Sequence, residues 1–312
     1  MEVTATIKSE TGMKEISLRK RELLELVALL SDYECEHLAR AVKNVAAGER
    51  FWEGDVGTFY NEYVKARYFN YVQNPTAFGS AAPQTEAGIY APIPIDKSYP
   101  DAECLSFPPP GSLTTNLTDL MRSRRSRREY AEGSVSLAQL STWLMHGCGI
   151  TGAIAAYGYN SVPLRTFPST GGLQAMEVYL FVQSVDGLKS GLYHYNSAKH
   201  VLDLIKIGDH ASMIKLLVPG HPGIDKSAVV LVITGCYDRV RWKYGARAYP
   251  YMCMDIGFLG ENLYLAAEAM ELGFCAIAGF IEDELELYLG IDGDNEMALL
   301  VGSFGLRRAE RP

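Results

Sequence analysis

The chain opens on a short alternation of apolar and polar positions (Val3, Ala5, Ile7) and then changes period. Over Arg21–Leu30, Leu23, Leu24, Val27 and Leu30 recur at helical spacing. Ser31 with Glu34 forms a capping box that opens a second helix running towards Gly48. A third helix is expected from Asp55 to about Tyr71, with Phe59, Tyr60, Tyr63, Tyr68 and Phe69 as a stripe of core or dimer contact. From Asn74 to Gly111 the periodicity dissolves. Eight of the fourteen prolines fall there, ending in Pro108-Pro109-Pro110, which predicts an extended arm or linker.

Beyond Leu113 helices and strands alternate. Ser136 and Gln139 frame a capping box, Leu137, Leu140, Trp143 and Leu144 supply one apolar face, and Gly147 stands where the residue just past a helix end belongs. Strands are expected at Ala175–Val182, Gly191–Tyr195, Val201–Ile205 and the strongly apolar Ala228–Thr234. A long helix follows from about Tyr251 to Glu271, then a strand (Phe274–Phe280), an acidic helix (Glu282–Leu289) and a last strand (Met297–Ser303). This order is not a strict βαβ series. It predicts an α+β fold of three layers. The domains expected are a helical region over 1–73, the arm over 74–112 and a main domain over 113–312.

With 312 residues, 48% hydrophobic and 21% charged, the composition is that of an ordinary globular chain. The formal net charge of −8 speaks against a nucleic-acid binder, because phosphate backbones are held by excess Lys and Arg. The longest apolar runs, such as Val229–Ile233, are far too short to cross a bilayer. The start, Met1-Glu2-Val3, has neither a basic opening nor an apolar segment of secretory type, so a cytoplasmic location is expected. The six cysteines include no CxxC pair and none at zinc-ligand spacing from His, which predicts free thiols and no metal site.

Four segments carry candidate chemistry. Gly147-x-Gly149-x-x-Gly152 has the spacing of a dinucleotide fingerprint, but a helix precedes it and a loop (Ala153–Pro163) is expected after it, so no Rossmann site is expected. Arg122 to Arg128 packs five arginines into seven residues directly after a helical segment, Leu117–Met121. Guanidinium groups so close repel unless an anion joins them, and a bound phosphate group explains the run better than a solvated basic surface. Pro168-Ser169-Thr170-Gly171-Gly172 is a small hydroxyl-bearing loop whose backbone N–H groups can approach a flat ligand, although a plain turn before a strand looks the same. Lys243-Tyr244-Gly245 places an ammonium beside a phenol, an acid–base pair if the charge lowers the phenol, or two exposed helix residues if not.

Taken together these segments resemble a known family. Arg124-Arg125-Ser126-Arg127-Arg128-Glu129-Tyr130 resembles the RRSxRx(F/Y) opening of the nitroreductase-like flavoproteins. Pro168 to Leu173 followed by Glu177-Val178-Tyr179 is similar to the PSxGxL…EVY segment of one branch, the SagB/ThcOx-type azoline dehydrogenases. Gly191-Leu-Tyr-His-Tyr195, Lys243-Tyr244-Gly245-x-Arg247-x-Tyr249, Gly260 to Gly273, Ala278-Gly279-Phe280 and Val301-Gly302 continue the resemblance in order. It covers about Leu113 to Arg308. Glu261 stands where Gln is usual, Gln174 where an aromatic is common, and His146 and Cys148 are unusual fillings.

The resemblance implies a nitroreductase-like three-layer α/β/α sandwich holding FMN at a homodimer interface. Arg124 and Ser126 would meet the phosphate with Arg125 alongside, and Arg128 would reach the pyrimidine edge. Pro168, Ser169, Thr170, Gly171 and Gly172 would line the flavin ring, Ala278 and Gly279 would flank the hydride-accepting nitrogen, and Arg307 or Arg308 would close the phosphate site. The implied reaction is oxidation of a thiazoline or oxazoline to its azole, with Lys243 and Tyr244 as the catalytic pair and Tyr244 the assigned base. The substrate would be a heterocyclised peptide or a carrier-bound azoline, the partner a cyclodehydratase or a peptide synthetase. Two rivals remain: an FMN-dependent NAD(P)H nitro- or quinone reductase, and a non-catalytic scaffold of a synthetase complex.

Overall fold

The computed structural model describes residues 2–9, 12–19 and 97–308, apart from 158 and 222. The chain divides into two compact units, Met1–Gly79 and Ser80–Pro312. In the first, Glu2–Ser9 (β1) and Gly12–Arg19 (β2) pair antiparallel with Ser9 opposite Gly12, so the opening alternation is one arm of a hairpin. The helices expected over 21–30, 31–48 and 55–71, with their aromatic stripe, lie outside the described residues, as does the arm over 74–96.

The second unit is built on a seven-stranded sheet. Its strands are β3 (Cys104–Ser106), β6 (Met176–Val182), β7 (Gly191–Asn196), β8 (Val201–Ile207), β9 (Val229–Cys236), β10 (Leu272–Ile277) and β11 (Glu296–Leu306), in the order β10-β11-β9-β6-β7-β8-β3. Every neighbouring pair is antiparallel. The edge strand β3 comes from the proline-rich arm, and Pro108-Pro109-Pro110 directly after it cannot donate to a ladder.

The central strands β6 and β9 do not alternate in polarity because both their faces are covered. All seven residues of β6 are buried. Val178, Leu180, Leu231 and Ile233 point to one face, where helices α2 (Leu137–Cys148) and α5 (Ala248–Ala269) lay down Leu140, Trp143, Leu259 and Leu263. Tyr179, Phe181, Val230 and Val232 point to the other, against Ile214 and Leu217 of α3 (Ala211–Leu217) and Leu285 and Leu289 of α6 (Glu282–Leu289). Two shorter helices, α1 (Leu117–Ser123) and α4 (Asp238–Tyr244), complete the described helices. The architecture is the expected α+β sandwich of three layers. Among the described residues no helix is long and apolar enough to cross a membrane.

The capping box at Ser136 is formed: Ser136 Oγ accepts from the Gln139 backbone at 3.1 Å, and Gln139 Oε1 accepts from the Ser136 backbone at 2.9 Å. Two expectations are corrected. Gly147 is not past the end of α2 but inside it, and Gly149 is the cap. Its lack of a side chain serves packing, since a Cβ there would stand 2.5 Å from Leu263 Cδ2 on α5. The segment expected as a loop over 153–163 is an antiparallel hairpin, β4 (Ile150–Ala156) and β5 (Tyr159–Arg165). Most of β4 is exposed, and on β5 the buried Val162 stands between more exposed neighbours, so no run of alternating buried positions marks the ribbon. The glycine spacing runs from the last turn of a helix into a strand, the reverse of the strand-to-helix order of a dinucleotide site.

Gly302 of β11 lies under the Phe274 ring: a Cβ would fall 2.6 Å from Cε2 and 2.9 Å from Cζ. Phe274 is buried and packed by Trp143 and Tyr264, so it has nowhere to go. Gly302→Ala is therefore expected to cost about 1–3 kcal/mol by overpacking, read as a lowered urea midpoint with an unchanged slope.

Candidate functional site

The loop 168–172 is held from below by one carboxylate. Asp255, on the sheet-facing side of α5 and 1% exposed, accepts the Thr170 backbone N–H at 2.9 Å, Thr170 Oγ1 at 2.7 Å and Ser169 Oγ at 3.2 Å. Burial pushes this carboxyl up, and the three bonds pull it partway back. Ser169 Oγ also accepts the Gln174 backbone N–H at 3.1 Å. The two hydroxyls of the Pro-Ser-Thr segment are thus spent on shaping the loop. Gly171 (φ 59°) and Gly172 (φ 69°) both take the left-handed conformation, which explains the paired glycines. A Cβ on Gly172 would meet nothing within 4 Å.

Lys243 and Tyr244 come to the same loop from the end of α4. A Cβ on Gly171 would stand 2.6 Å from Tyr244 Oη, 3.3 Å from Lys243 Nζ and 3.3 Å from Tyr157 Oη. Three polar groups therefore converge on one glycine. Tyr157, in the turn of the β4–β5 hairpin, is not among the residues that the sequence singles out. Lys243 Nζ donates to its hydroxyl at 2.7 Å, and that hydroxyl donates to the Gly171 carbonyl at 2.6 Å. Lys243 also bonds Tyr244. Burial would lower the Lys243 amine, but its two phenol partners outweigh it and leave it raised. Burial raises the Tyr244 phenol more than the Lys243 charge lowers it. The expected pull of the ammonium on the phenol is present, and desolvation exceeds it.

The arginine run forms a second cluster. Arg124 caps α1 and lies over the Tyr264 ring at 5.0 Å, with Glu261 Oε1 at 3.8 Å from its Nε. Ser126 Oγ and Tyr264 Oη are 3.0 Å apart, and Tyr264 Oη accepts the Ala276 backbone N–H at 2.9 Å. Among the described residues Arg125 donates to the carbonyls of Arg122 and Arg124. Arg128 sits beside Cys275, whose thiol burial pushes up and Arg128 partly restores. Ala278 and Gly279 follow the end of β10, exposed, and a Cβ on Gly279 would meet nothing. Arg308 pairs with Glu129 at 3.0 Å and Arg307 with Glu268 at 3.4 Å, so both already have a carboxylate.

The expected site residues thus fall into two groups. Arg124 and Ser126 meet at Tyr264, with Arg128 beside Cys275 and Ala278 and Gly279 just past the end of β10; the 168–172 loop is held by Asp255, with Lys243 and Tyr244 at its Gly171. Both anchors lie on α5, nine residues apart. At 3.6 residues per turn and 1.5 Å per residue that is half a turn of rotation and about 13 Å along the axis, so the groups open on opposite faces of the helix. On the arc between them α5 exposes Met254 and Phe258.

Behind the loop a chain of buried charge runs through the sheet. Glu177 of β6 meets Arg239 of α4 at 2.6 Å and His194 of β7 at 2.8 Å, and Arg239 also donates to the Gln174 carbonyl at 3.0 Å. Burial alone would raise the Glu177 carboxyl; the His194 bond and the Arg239 charge outweigh it and hold it well below the carboxylate range.

The model of the nitroreductase family matches residues 121–305. MJ1384 of Methanocaldococcus jannaschii, which carries a provisional nitroreductase name, is 29% identical over 175 residues, 56% of this chain and 84% of that protein. The trifolitoxin-processing protein TfxB of Rhizobium leguminosarum bv. trifolii is 26% identical over 53% of this chain and 46% of its own length. The microcin B17-processing protein McbC of Escherichia coli is 25% identical over 45% and 54%. The chain therefore spans about half the length of these two processing proteins. Among solved structures, the E. coli microcin synthetase McbBCD complex with truncated pro-MccB17 matches 80% of this chain and 97% of its own at 19% identity, with a TM-score of 0.51, a likeness of fold.

Glu177 supplies a stability that depends on pH. A carboxyl held below its ordinary value of 4.5 stabilises the fold fully above that value and loses its contribution as pH falls through the depressed one. Glu177→Gln leaves Arg239 buried without its carboxylate and is expected to cost about 3–5 kcal/mol at neutral pH. Urea titrations at about pH 6 and about pH 3 should show the wild type losing more stability on acidification than the variant.

Proposed function

The chain belongs to the nitroreductase family of oxidoreductases, and on that premise we propose that it is an FMN-dependent azoline dehydrogenase. It would oxidise a thiazoline or oxazoline of a peptide, ribosomal or carrier-bound, to the aromatic azole. The observation that carries this reading is the convergence of Lys243 and Tyr244 on Gly171. A reductase that passes hydride from NAD(P)H has no need of an acid–base pair beside the loop expected to line the flavin. TfxB and McbC, named as toxin-processing proteins, support a peptide substrate, and the McbBCD complex supports a cyclodehydratase or synthetase partner.

The donor set fits FMN. Among the described residues no carboxylate lies within ion-pair distance of Arg125 or Arg128, and Gly172 and Gly279 leave open backbone where side chains would stand. Arg124 and Ser126 would hold the phosphate with Arg125 alongside. Arg128 would face the pyrimidine edge, and Pro168 to Gly172 with Ala278 and Gly279 would line the ring. Arg308, already paired with Glu129, is the weakest member. When bound, FMN supplies a two-electron acceptor for a hydride. This chain's residues then have one task left, which is to take the ring proton. Tyr244 is assigned that proton and Lys243 the charge that steadies the phenolate, so one proton must leave the resting pair first.

Two groups on opposite flanks of one helix fit a ligand shared between two copies of the chain. A homodimer packed on the exposed Met254 and Phe258 would bring the arginine cluster of one copy to the 168–172 loop of the other. The dimer contact would then lie on α5 rather than only on the aromatics over 59–69. Met254→Glu with Phe258→Glu is expected to dissociate the dimer and release flavin together, since binding and assembly are linked. Sedimentation beside flavin absorbance checks it: a flavin-loaded monomer would refute the shared site.

The reaction is tested with Lys243→Ala and Tyr244→Phe. Both should retain FMN, identified by the mass of the released flavin, and lose azoline oxidation by about 10²–10⁴-fold. The readout is loss of two hydrogens from a thiazoline substrate. Near wild-type turnover in both variants removes the pair from the mechanism, and fast NAD(P)H oxidation without azoline turnover assigns the reductase activity instead. A protein that takes up no FMN on reconstitution belongs to the scaffold reading.

A further inference from the structure

We infer that Tyr157 is a positioning residue for Lys243, fixing its Nζ over the Gly171 turn. The inference deepens the azoline reading and rests on it for its catalytic meaning, but not for its geometry. Tyr157 has φ 54°, a conformation a tyrosine seldom takes, and it turns the hairpin so that the ring stands against Trp242 at 5.6 Å, edge to face. The ring lies 4.4 Å below Lys243 Nζ. Its hydroxyl donates to the Gly171 carbonyl at 2.6 Å, which commits its one proton and leaves its lone pairs to accept from Lys243 at 2.7 Å.

This arrangement reads as more than packing. A tyrosine whose proton is already committed to a carbonyl can only accept from the amine, and that bond is stronger from an ammonium than from a neutral amine, so the contact favours the charged form. The aromatic face beneath adds a second attraction for the cation alone. The titratable groups that face Lys243 are few. Tyr157 comes from the hairpin, Tyr244 from its own helix, and Tyr251 of α5 packs behind Tyr244 at 5.0 Å. The 168–172 loop brings only backbone to the amine, and its carboxylate, Asp255, is occupied by Ser169 and Thr170. No acid opposes the amine among these neighbours. The hydroxyl of a residue from a separate ribbon therefore holds the amine in place and, with Tyr244, favours its charged form.

Tyr157→Phe tests this in the full-length, flavin-loaded protein, because it keeps the ring against Trp242 and removes only the hydroxyl. Lys243 is titrated directly by competitive acetylation with acetic anhydride across pH, reading its peptide by mass spectrometry. The expected result is a labelling midpoint about one pH unit lower, and therefore about tenfold more modification at any pH well below both midpoints. Flavin content should be unchanged, and azoline turnover should fall with its pH profile displaced in the same direction. Tyr157→Leu, which also removes the ring, should move the midpoint at least as far. Superimposable labelling profiles in wild type and both variants would overturn the inference, whatever the activity. A displaced profile in a protein whose wild type oxidises no azoline would uphold the positioning of Lys243 and sink the proposed reaction instead.

Discussion

A carboxylate in the middle of a seven-stranded sheet has to be neutralised where it stands, and Glu177 meets that demand through Arg239 and His194. The consequence reaches the site. Arg239 lies one turn before Lys243 on α4, so the ion pair that stabilises the sheet also sets where α4 lies. The same guanidinium donates to the Gln174 carbonyl, which fixes the exit of the 168–172 loop while Asp255 fixes its entrance. Buried charge is a poor source of net stability, but removing one member is costly. That asymmetry makes the Glu177–Arg239 pair a clamp holding the loop and the acid–base pair in one geometry.

Helix α5 imposes the second constraint. Its apolar residues run nearly all round, so packing against α2 and the sheet uses one face and leaves Met254 and Phe258 exposed on another. Asp255 and Tyr264 then anchor two polar groups half a turn apart. Glu261, where the resembling proteins carry Gln, approaches Arg124 at 3.8 Å with both side chains partly exposed. A pair that loose is worth little to the fold. Its effect is on the arginine run, where it offsets part of the positive charge collected there.

Much of the sandwich is legible from spacing alone. The Ser136 box, the doubly covered strands and the acidic helix at Glu282–Leu289 each depend on neighbours close in sequence or on burial that leaves a plain apolar signature. What is not legible depends on distance along the chain. Asp255 finds Thr170 from 85 residues away, and Lys243 finds Tyr157 from 86. Neither Asp255 nor Tyr157 belongs to a local motif that would single it out. The β4–β5 ribbon escapes a reading by pattern because an exposed hairpin needs no alternation. Gly147 misleads because a glycine can serve close helix contact as well as a turn, and only the position of Leu263 tells the two apart.

The protonation of the site follows from opposing pulls on two neighbouring groups. Excluding water raises a phenol and lowers an amine, and pairing favours the charged form of both. At Tyr244 exclusion is the stronger and the phenol keeps its proton; at Lys243 pairing is the stronger and the amine keeps its own. The resting state therefore holds both protons, and it is an acid before it is a base. A substrate that displaced the remaining water would move the phenol further in that direction unless it carried a group able to accept from Lys243 or Tyr244. The ring nitrogen of an azoline is such a group. In the proposed reaction, accepting a hydrogen bond there would withdraw electrons from the ring and make the neighbouring carbon a better proton donor, so the contact that engages the pair would also acidify the bond to be broken.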